Sequence, residues 1–403
     1  MTKEYYIYIL ECTNGRLYTG FAVDLKKRFN EHLSGKGGAK FTRSFKPKRI
    51  IMSWELIDGS RGEAQRIETY IKSLNREGKL AITNNPKALV DHIGSLENYN
   101  GRLIVHTGGI KMAEIIDGKK ISDEIREGIK LRVAELKKKY NAVPGLAVVL
   151  VGNDPASEVY VKMKEKGCAE TGIDSFKYVL PDSISKEELL SLIDKLNNDS
   201  KVNGILVQLP LPKHIKEDDV IDAVIPEKDV DGFHPINTGK MVADQECFLP
   251  CTPNGIQELI NRYVKDLKGK HLVVVGRSNI VGKPIANMML QKNKRADCIV
   301  TVCHTAAPDI SMYTKQADIL VVAAGRANTV TGDMVKDGVV VIDVGVNRIV
   351  QDDTSKTKIV GDVDFDSVSK KASAITPVPG GVGPMTIAML LSNTLKAFEM
   401  QNR

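Results

Sequence analysis

Tyr160 and Lys164 stand four residues apart in Pro155-Ala-Ser-Glu-Val-Tyr-Val-Lys-Met-Lys164. On a helix this spacing puts the phenol and the amine on one face. Lys162 and Lys166 then point elsewhere and read as solvated. A Tyr-x-x-x-Lys pair on a Lys-rich helix is a poor signal alone, and Gln208, Asp229 and Asp231 strengthen it. Each falls at the end of a predicted strand or in the loop after one, on the carboxyl side where open α/β sheets build their sites. Thr376-Pro-Val-Pro-Gly-Gly-Val-Gly-Pro-Met-Thr386 falls there too, with three Pro and three Gly in eleven residues. Its plain reading is a turn-rich connection; its functional reading is a backbone shaped to lie against a flat ligand.

A second set of residues suits a phosphate. His271-Leu-Val-Val-Val-Gly-Arg-Ser-Asn-Ile-Val-Gly-Lys-Pro284 reads as a buried parallel strand, a turn at Gly276 and a helix from Ile285 to Leu290. Strand, Gly turn and helix aim free backbone N–H groups at a phosphate. The glycine fingerprint G-x-G-x-x-G is not met, because Arg277 and Ser278 occupy the turn. The next predicted strand, Cys298–Cys303, runs into His304 and Thr305 and not into an acid that could bond a ribose 2′-hydroxyl. Asp297 precedes that strand and reads as a surface loop acid. Arg277 could pair with a 2′-phosphate, so the expected cofactor is NADP in preference to NAD.

These residues need elements to position them, and 403 residues suffice for two or three domains. Charged residues make up 27% and hydrophobic residues 42%, ordinary for a soluble protein. The apolar runs are too short to span a membrane, and the first residues lack a signal-peptide layout. Six scattered cysteines read as reduced thiols, and the expected location is cytoplasmic. Cys247 and Cys251 lack a partner pair for zinc. Residues 1–95 carry 17 Lys and Arg against 10 Asp and Glu, so the chain's whole excess of +7 lies there. The charge implies either a polyanionic partner or a basic solvated surface.

Along the chain, Tyr5–Glu11 alternates as a strand, Asn14-Gly15 signals a hairpin and Arg16–Phe21 returns. Asp24–Leu33 reads as a helix, Gly35–Gly38 as a loop and Ile50–Leu56 as a third strand. Ser60-x-x-Glu63 is a capping box ahead of a helix with Ala64, Ile67, Ile71 and Leu74 on one stripe. Tyr6-Ile7-Tyr8, then Tyr18-Thr19-Gly20, Arg28, His32 and Glu68 resemble the GIY-YIG nuclease family in its small stand-alone form. Tyr6 replaces the glycine of the family name. The resemblance implies a small α+β domain, placed at residues 1–85, and phosphodiester hydrolysis. Such chemistry needs a metal ion, a cation for the developing charge and a positioned water. Glu68 could hold Mg²⁺, Arg28 could meet the phosphate charge, and Tyr8, Tyr18 and His32 could orient or deprotonate water. Tyr8 and Tyr18 could equally be cross-strand partners, and Arg28 and His32 a charged helix face. Residues 86–111 read as a linker, and Met112 as the ancestral start of a fused enzyme.

From Ile121 the pattern is α/β: a helical stripe at Ile121, Ile125, Ile129, Val133 and Leu136, then strands and helices in alternation. The Tyr160–Lys164 helix, Val207-Gln-Leu-Pro-Leu-Pro212, Pro226-Glu-Lys-Asp-Val-Asp-Gly232, the Gly276 turn and Pro377–Thr386 together closely resemble the bifunctional methylenetetrahydrofolate dehydrogenase/cyclohydrolase family. The resemblance implies a two-lobed α/β enzyme. Residues 112–252 form the folate lobe, residues 253–383 a Rossmann-type NADP lobe, and a last helix at 384–400 packs back on the first. It further implies tetrahydrofolate derivatives as substrates, a homodimer, and no metal in this part. Lys164 is then expected to be neutral at least part of the time, bonded to Gln208, and to activate water or relay protons. Tyr160 would stack on or bond the folate rings, and Asp231 would accept from the pterin. Gly276, Arg277, Ser278 and Thr305 would meet phosphates, and Val346 the nicotinamide half. A reading from another class makes the chain principally a nucleic-acid-binding or cleaving protein at residues 1–95 with an inherited folate domain. A non-folate NADP dehydrogenase is a third.

Overall fold

Tyr5–Cys12 (β1) and Leu17–Ala22 (β2) form an antiparallel hairpin whose turn carries Gly15 at φ +74°. In the computed structural model, which describes residues 4–34, 39–95, 101–105, 113–350 and 357–402, the chain divides into two compact units, Met1–Ala113 and Glu114–Arg403. The expected Gly35–Gly38 loop and Met112 lie outside the described residues.

In the first unit the hairpin is followed by Leu25–Ser34 (α1), Lys40–Ser44 (α2), Pro47–Ile57 (β3), Arg61–Ser73 (α3), Arg76–Asn84 (α4), Pro86–Gly94 (α5) and Arg102–Val105 (β4). The sheet order is β2-β1-β3-β4. The capping box at Ser60 and Glu63 forms in full and starts α3, whose Ala64, Ile67 and Ile71 are buried against β1 and β3. The expected linker is corrected here. Residues 86–94 are a helix with Pro86 in its first turn, and 102–105 are a strand paired with Trp54–Ile57. Leu89 and Ile93, four apart, complete the core, and Trp54 Nε1 donates to the Pro86 carbonyl at 3.1 Å. Asn and Gly punctuation hid this short apolar stripe from the sequence reading.

The second unit begins with Glu114–Ile115 (β5) and Gly118–Tyr140 (α6). Gly145–Val151 (β6), Pro155–Thr171 (α7), Asp174–Leu180 (β7), Lys186–Asn198 (α8) and Gly204–Val207 (β8) follow. Every residue of β6 is buried, as expected of the central strand in a parallel sheet of order β7-β6-β8. Three helices, Glu217–Ala223 (α9), Pro235–Val242 (α10) and Cys251–Tyr263 (α11), lead to the second sheet.

That sheet is assembled from His271–Val275 (β9), Gly282–Leu290 (α12), Ile299–Cys303 (β10), Ser311–Thr314 (α13), Ile319–Val322 (β11) and Val340–Asp343 (β12). A hairpin of Asn347–Val350 (β13) and Thr357–Val360 (β14) precedes Phe365–Val368 (α14), Ala374–Ile375 (β15) and Val382–Gln401 (α15). The parallel order is β10-β9-β11-β12-β15-β5. Chain order therefore reverses at β9, which makes the carboxyl ends of β9 and β11 a topological switch point. The short strand β5 belongs to the edge of this second sheet, although the sequence reading assigned its residues to the first lobe. Helix α15 packs on both α6 and α11 and so closes the two lobes over one apolar core.

Candidate functional site

Lys164 is placed by a helix with well-defined ends. Asp154 caps α7 by accepting from Ser157 N, Pro155 opens its first turn, and Gly172 ends it at φ +78°. The helix turns Tyr160 outward, 43% exposed, and Lys164 inward, 8% exposed. Lys164 Nζ donates to Gln208 Oε1 at 2.8 Å. Gln208 follows β8, and its own Nε2 donates to the Leu209 carbonyl at 2.7 Å. With the amide nitrogen so engaged, the amide oxygen is the atom facing Lys164.

Burial lowers the Lys164 pKa from the ordinary ammonium range; the nearby Asp231 and Cys251 oppose this only in part. Desolvation raises the Asp231 carboxyl, against the pull of Lys164 and with a push from Asp229. The amine thus rests on a neutral amide, which holds it in place without adding a charge that would keep it protonated.

Asp229 and Lys228 explain the rest of the Pro226–Gly232 motif, and neither needs to touch a ligand. Asp229 accepts from the backbone N–H groups of Gly232, Phe233 and His234 and from Asn237 Nδ2, at 2.9–3.3 Å. It therefore shapes the loop that presents Asp231. Lys228 Nζ donates to the Leu196 and Asp199 carbonyls at the end of α8. From the last helix, Asn393 Nδ2 donates to the Val230 and Leu249 carbonyls and fixes the same loop. Cys251 was considered in the sequence only as a zinc ligand. It lies against Asp231, is fully buried and donates to the Val230 carbonyl.

Beside Tyr160 a cleft of about 300 Å³ runs between α7 and the Pro377–Pro384 run. Val344, Gly345 and Val346 line it after β12, together with Arg348 and Ile359 from the β13–β14 hairpin. Val346 is 57% exposed. Two buried carboxylates support this wall. Asp343 accepts from the N–H groups of Gly345, Asp362 and Val363; Asp362 accepts from Ala324 N, Gly325 N and Asn347 Nδ2. A Cβ on Gly345 would fall on the Asp362 carboxylate. Burial raises Asp343 to about 6. The sequence reading missed the hairpin and both acids, whose only signal was an acid at or just after a strand end.

At the switch point Gly276 has φ +126°, and a Cβ there would lie 2.2 Å from the Ala323 carbonyl oxygen. Only glycine lets β9 leave the sheet so close to the end of β11. Gly276 N donates to the Cys303 carbonyl at 2.8 Å, which brings the turn to the end of β10. Ser278 Oγ accepts from Val281 N and Gly282 N and so caps the start of α12; its hydroxyl hydrogen remains available to a phosphate. Arg277 and Thr305 are exposed. These groups fit a phosphorylated dinucleotide: a glycine turn for close approach, a hydroxyl and a guanidinium.

In the first unit Tyr8, Tyr18, Arg28 and Glu68 line one pocket together with Arg61 and Gly20. Gly20 is required because a Cβ there would meet the Tyr8 hydroxyl at 2.4 Å. The register opposes Tyr8 to Gly20 and Tyr18 to Leu10, so the two tyrosines are not directly opposite one another. His32 is 1% exposed, with Nε2 at 2.8 Å from the Tyr8 hydroxyl and Nδ1 at 2.7 Å from Thr42 Oγ1. Burial, with a push from Arg28, lowers His32 to about 4, so its ring is neutral at pH 7. Burial also raises the Tyr18 phenol. Arg28 bonds Glu31 at 2.7 Å, and Glu68 pairs with Lys72 at 2.8 Å. Among the described residues no group of three or more His, Cys, Asp or Glu could hold a metal.

Family models match three stretches. The tetrahydrofolate dehydrogenase/cyclohydrolase catalytic domain matches residues 116–231, and the NAD(P)-binding domain of the same family matches 250–402. The GIY-YIG catalytic domain matches 4–81. The chain is 59% identical over 288 residues to "Bifunctional protein FolD" of Chloroherpeton thalassium, covering 71% of this chain and 98% of that one. It is 56% identical over 289 residues to the FolD of Acetivibrio thermocellus, covering 72% and 98%. Among solved structures, FolD from Campylobacter jejuni aligns with a TM-score of 0.68 at 52% identity, over 72% of this chain and 99% of that one. FolD from Trypanosoma brucei, complexed with NADP cofactor and inhibitor, aligns at 0.68 and 37% identity with the same coverage.

Proposed function

The chain belongs to the tetrahydrofolate dehydrogenase/cyclohydrolase family, and we propose that Lys164, held by Gln208, carries the hydrolytic half of its work. The enzyme oxidises 5,10-methylenetetrahydrofolate with NADP⁺ and hydrolyses the methenyl product to 10-formyltetrahydrofolate. NADP, when bound, supplies the hydride acceptor. The chain's own residues do the rest. Hydride leaves a carbon between two nitrogens, so positive charge grows on the folate. An ammonium beside it would oppose that, and a neutral amine does not. Lys164 can then accept a proton from the attacking water, or pass one on, at Nζ. Gln208 keeps Nζ pointed inward. Tyr160 lies along the folate ring, and Asp231 accepts from the pterin's N–H groups, a pairing that rejects rings unable to donate. Arg277, Ser278 and Thr305 take the phosphates, with Gly276 allowing their approach and Val346 meeting the nicotinamide half.

The observation that carries this reading is the 2.8 Å contact between a nearly enclosed lysine and a neutral amide. Purified protein given methylenetetrahydrofolate and NADP⁺ should accumulate NADPH absorbance. No reduced cofactor from either NADP⁺ or NAD⁺ would defeat the dehydrogenase reading, and undiminished methenyl hydrolysis in Lys164→Met would defeat the role of Lys164.

For the first unit we separately propose a metal-dependent nuclease, supported by the pocket that gathers Tyr8, Tyr18, Arg28 and Glu68 over His32. Neutral His32 holds the Tyr8 hydroxyl in place, Arg28 meets the phosphate, and Tyr18 orients water. A single carboxylate suits Mg²⁺, which keeps several waters. Glu68 would hold it after Lys72 moves away. DNA incubated with the full chain and Mg²⁺ should be cut, and Glu68→Ala should stop it; equal cutting by both removes Glu68 from the site. A homodimer and a cytoplasmic location complete the proposal. The edge strand β7, with Val179 59% exposed, supports the first, and six free cysteines support the second. No described helix is long and apolar enough to cross a membrane.

A further inference from the structure

Helix α2 does something the nuclease chemistry does not require. It carries Phe41 and is followed by Phe45, both half-buried, and it lies directly beside the Tyr18 wall of the first unit's pocket. Phe41 stacks on Tyr18, with ring centroids 5.9 Å apart and planes at 22°. Phe45 follows at 5.2 Å from Phe41. The Arg16 guanidinium sits over the Phe45 ring at 4.8 Å. The row is anchored at its inner end, because Thr42 on the same helix bonds His32 at 2.7 Å. Exposed Lys40, Lys46 and Lys48 flank it.

Resting on the nuclease reading, we propose that Tyr18, Phe41, Phe45 and Arg16 form a stacking platform for unpaired nucleotides, so that the module takes single-stranded or frayed nucleic acid. Bases in a duplex hide their faces against one another, whereas unpaired bases offer a π-face that stacks on aromatic rings and guanidinium planes. Phosphates between such bases need cations, and the lysines around the row supply them. The excess of +7 in residues 1–95 matches a polyanion. A row of rings that begins at the pocket wall also delivers a defined phosphate: stacking the strand outward along Phe41 and Phe45 leaves the next linkage inward, over Tyr18, Arg28 and Glu68. Proteins and lipid surfaces also bear negative charge, but neither offers flat faces in register with ionised linkages.

The test is binding without cleavage. The full chain carrying Glu68→Ala is titrated into a fluorescent single-stranded oligonucleotide and into the blunt duplex of the same sequence, with anisotropy read at low and moderate salt. The single strand is expected to bind about tenfold or more tightly than the duplex. Phe41→Leu should erase most of that preference, and Phe41→Trp, which keeps a stacking surface, should restore it. Phe45→Leu gives the same reading at a position nearer the rim. Equal affinity for strand and duplex, or an unchanged preference in Phe41→Leu and Phe45→Leu, overturns the platform while salt-sensitive binding keeps the nuclease reading alive. No binding of either nucleic acid overturns both.

Discussion

Replacing Gln208 with Glu puts a negative charge where a neutral oxygen now receives the Lys164 proton at 2.8 Å. At that separation, with an effective dielectric near 20, two unit charges attract by ~6 kcal/mol. Desolvating the new carboxylate takes back several kcal/mol. Half is a fair remainder, so the ammonium form of Lys164 gains ~3 kcal/mol, which moves its pKa up by roughly 2 units. The sign is definite, because burial now lowers this lysine, and a paired charge reverses that. Hydrolysis that needs the free amine should follow. Its pH midpoint in Gln208→Glu should rise by about 2 units, and at a fixed pH below both midpoints the rate should fall about 100-fold. The assay follows loss of the methenyl chromophore across pH, with Gln208→Met as the control of similar size and no charge. An unchanged midpoint in Gln208→Glu would refute the claim that proton occupancy at Nζ limits the step.

Three further outcomes are expected. Lys164→Met should cost methenyl hydrolysis about 10²–10⁴-fold, the usual worth of a positioned acid or base; undiminished hydrolysis removes Lys164 from the chemistry. Arg277→Ala should raise the KM for NADP⁺ by about 10- to 100-fold and leave NAD⁺ nearly unchanged, because a charge-assisted bond is worth roughly 1.5–3 kcal/mol; equal losses for both cofactors would place Arg277 away from the 2′-phosphate. In the first unit, His32 is lowered to about 4 when folded. The unfolded chain therefore takes up that proton first, and stability is lost as pH falls from about 6.5 toward 4, by up to ~3 kcal/mol. Trp54, the chain's single tryptophan, is buried in the same unit and reports its unfolding. His32→Gln should flatten urea stability over that window, and an undiminished slope would assign it to other groups.

The alternation of strands and helices was legible because each half-buried element repeats its apolar residues at its own period, as Ile121, Ile129, Val133 and Leu136 do along α6. The capping box at Ser60 and Glu63 could be read directly, since Ser and Glu at that spacing satisfy each other locally. The helix that carries Tyr160 and Lys164 was equally local, with its cap at Asp154 and its first turn at Pro155. What could not be read was any contact set by the crossing of distant segments. Asp362 lies 38 residues from Ala324, whose N–H it accepts, and Asn393 lies 163 residues from Val230. Helix α5 and strand β4 look like a linker in the sequence because their apolar stripe is only two residues long and is completed by Trp54 and Ile67 from elsewhere. The aromatic row at Tyr18, Phe41 and Phe45 joins a strand to a helix with no shared period, so neither segment announces it.

The most direct test is the titration of Lys164 itself. With lysine side chains labelled for NMR, and the signal assigned by its loss in Lys164→Met, the Nζ resonance is followed from neutral to alkaline pH. A midpoint clearly below the ordinary lysine value of about 10.4 is the expected result. A midpoint at or above that value would contradict it, because the amine would then stay charged beside a folate that is itself becoming a cation.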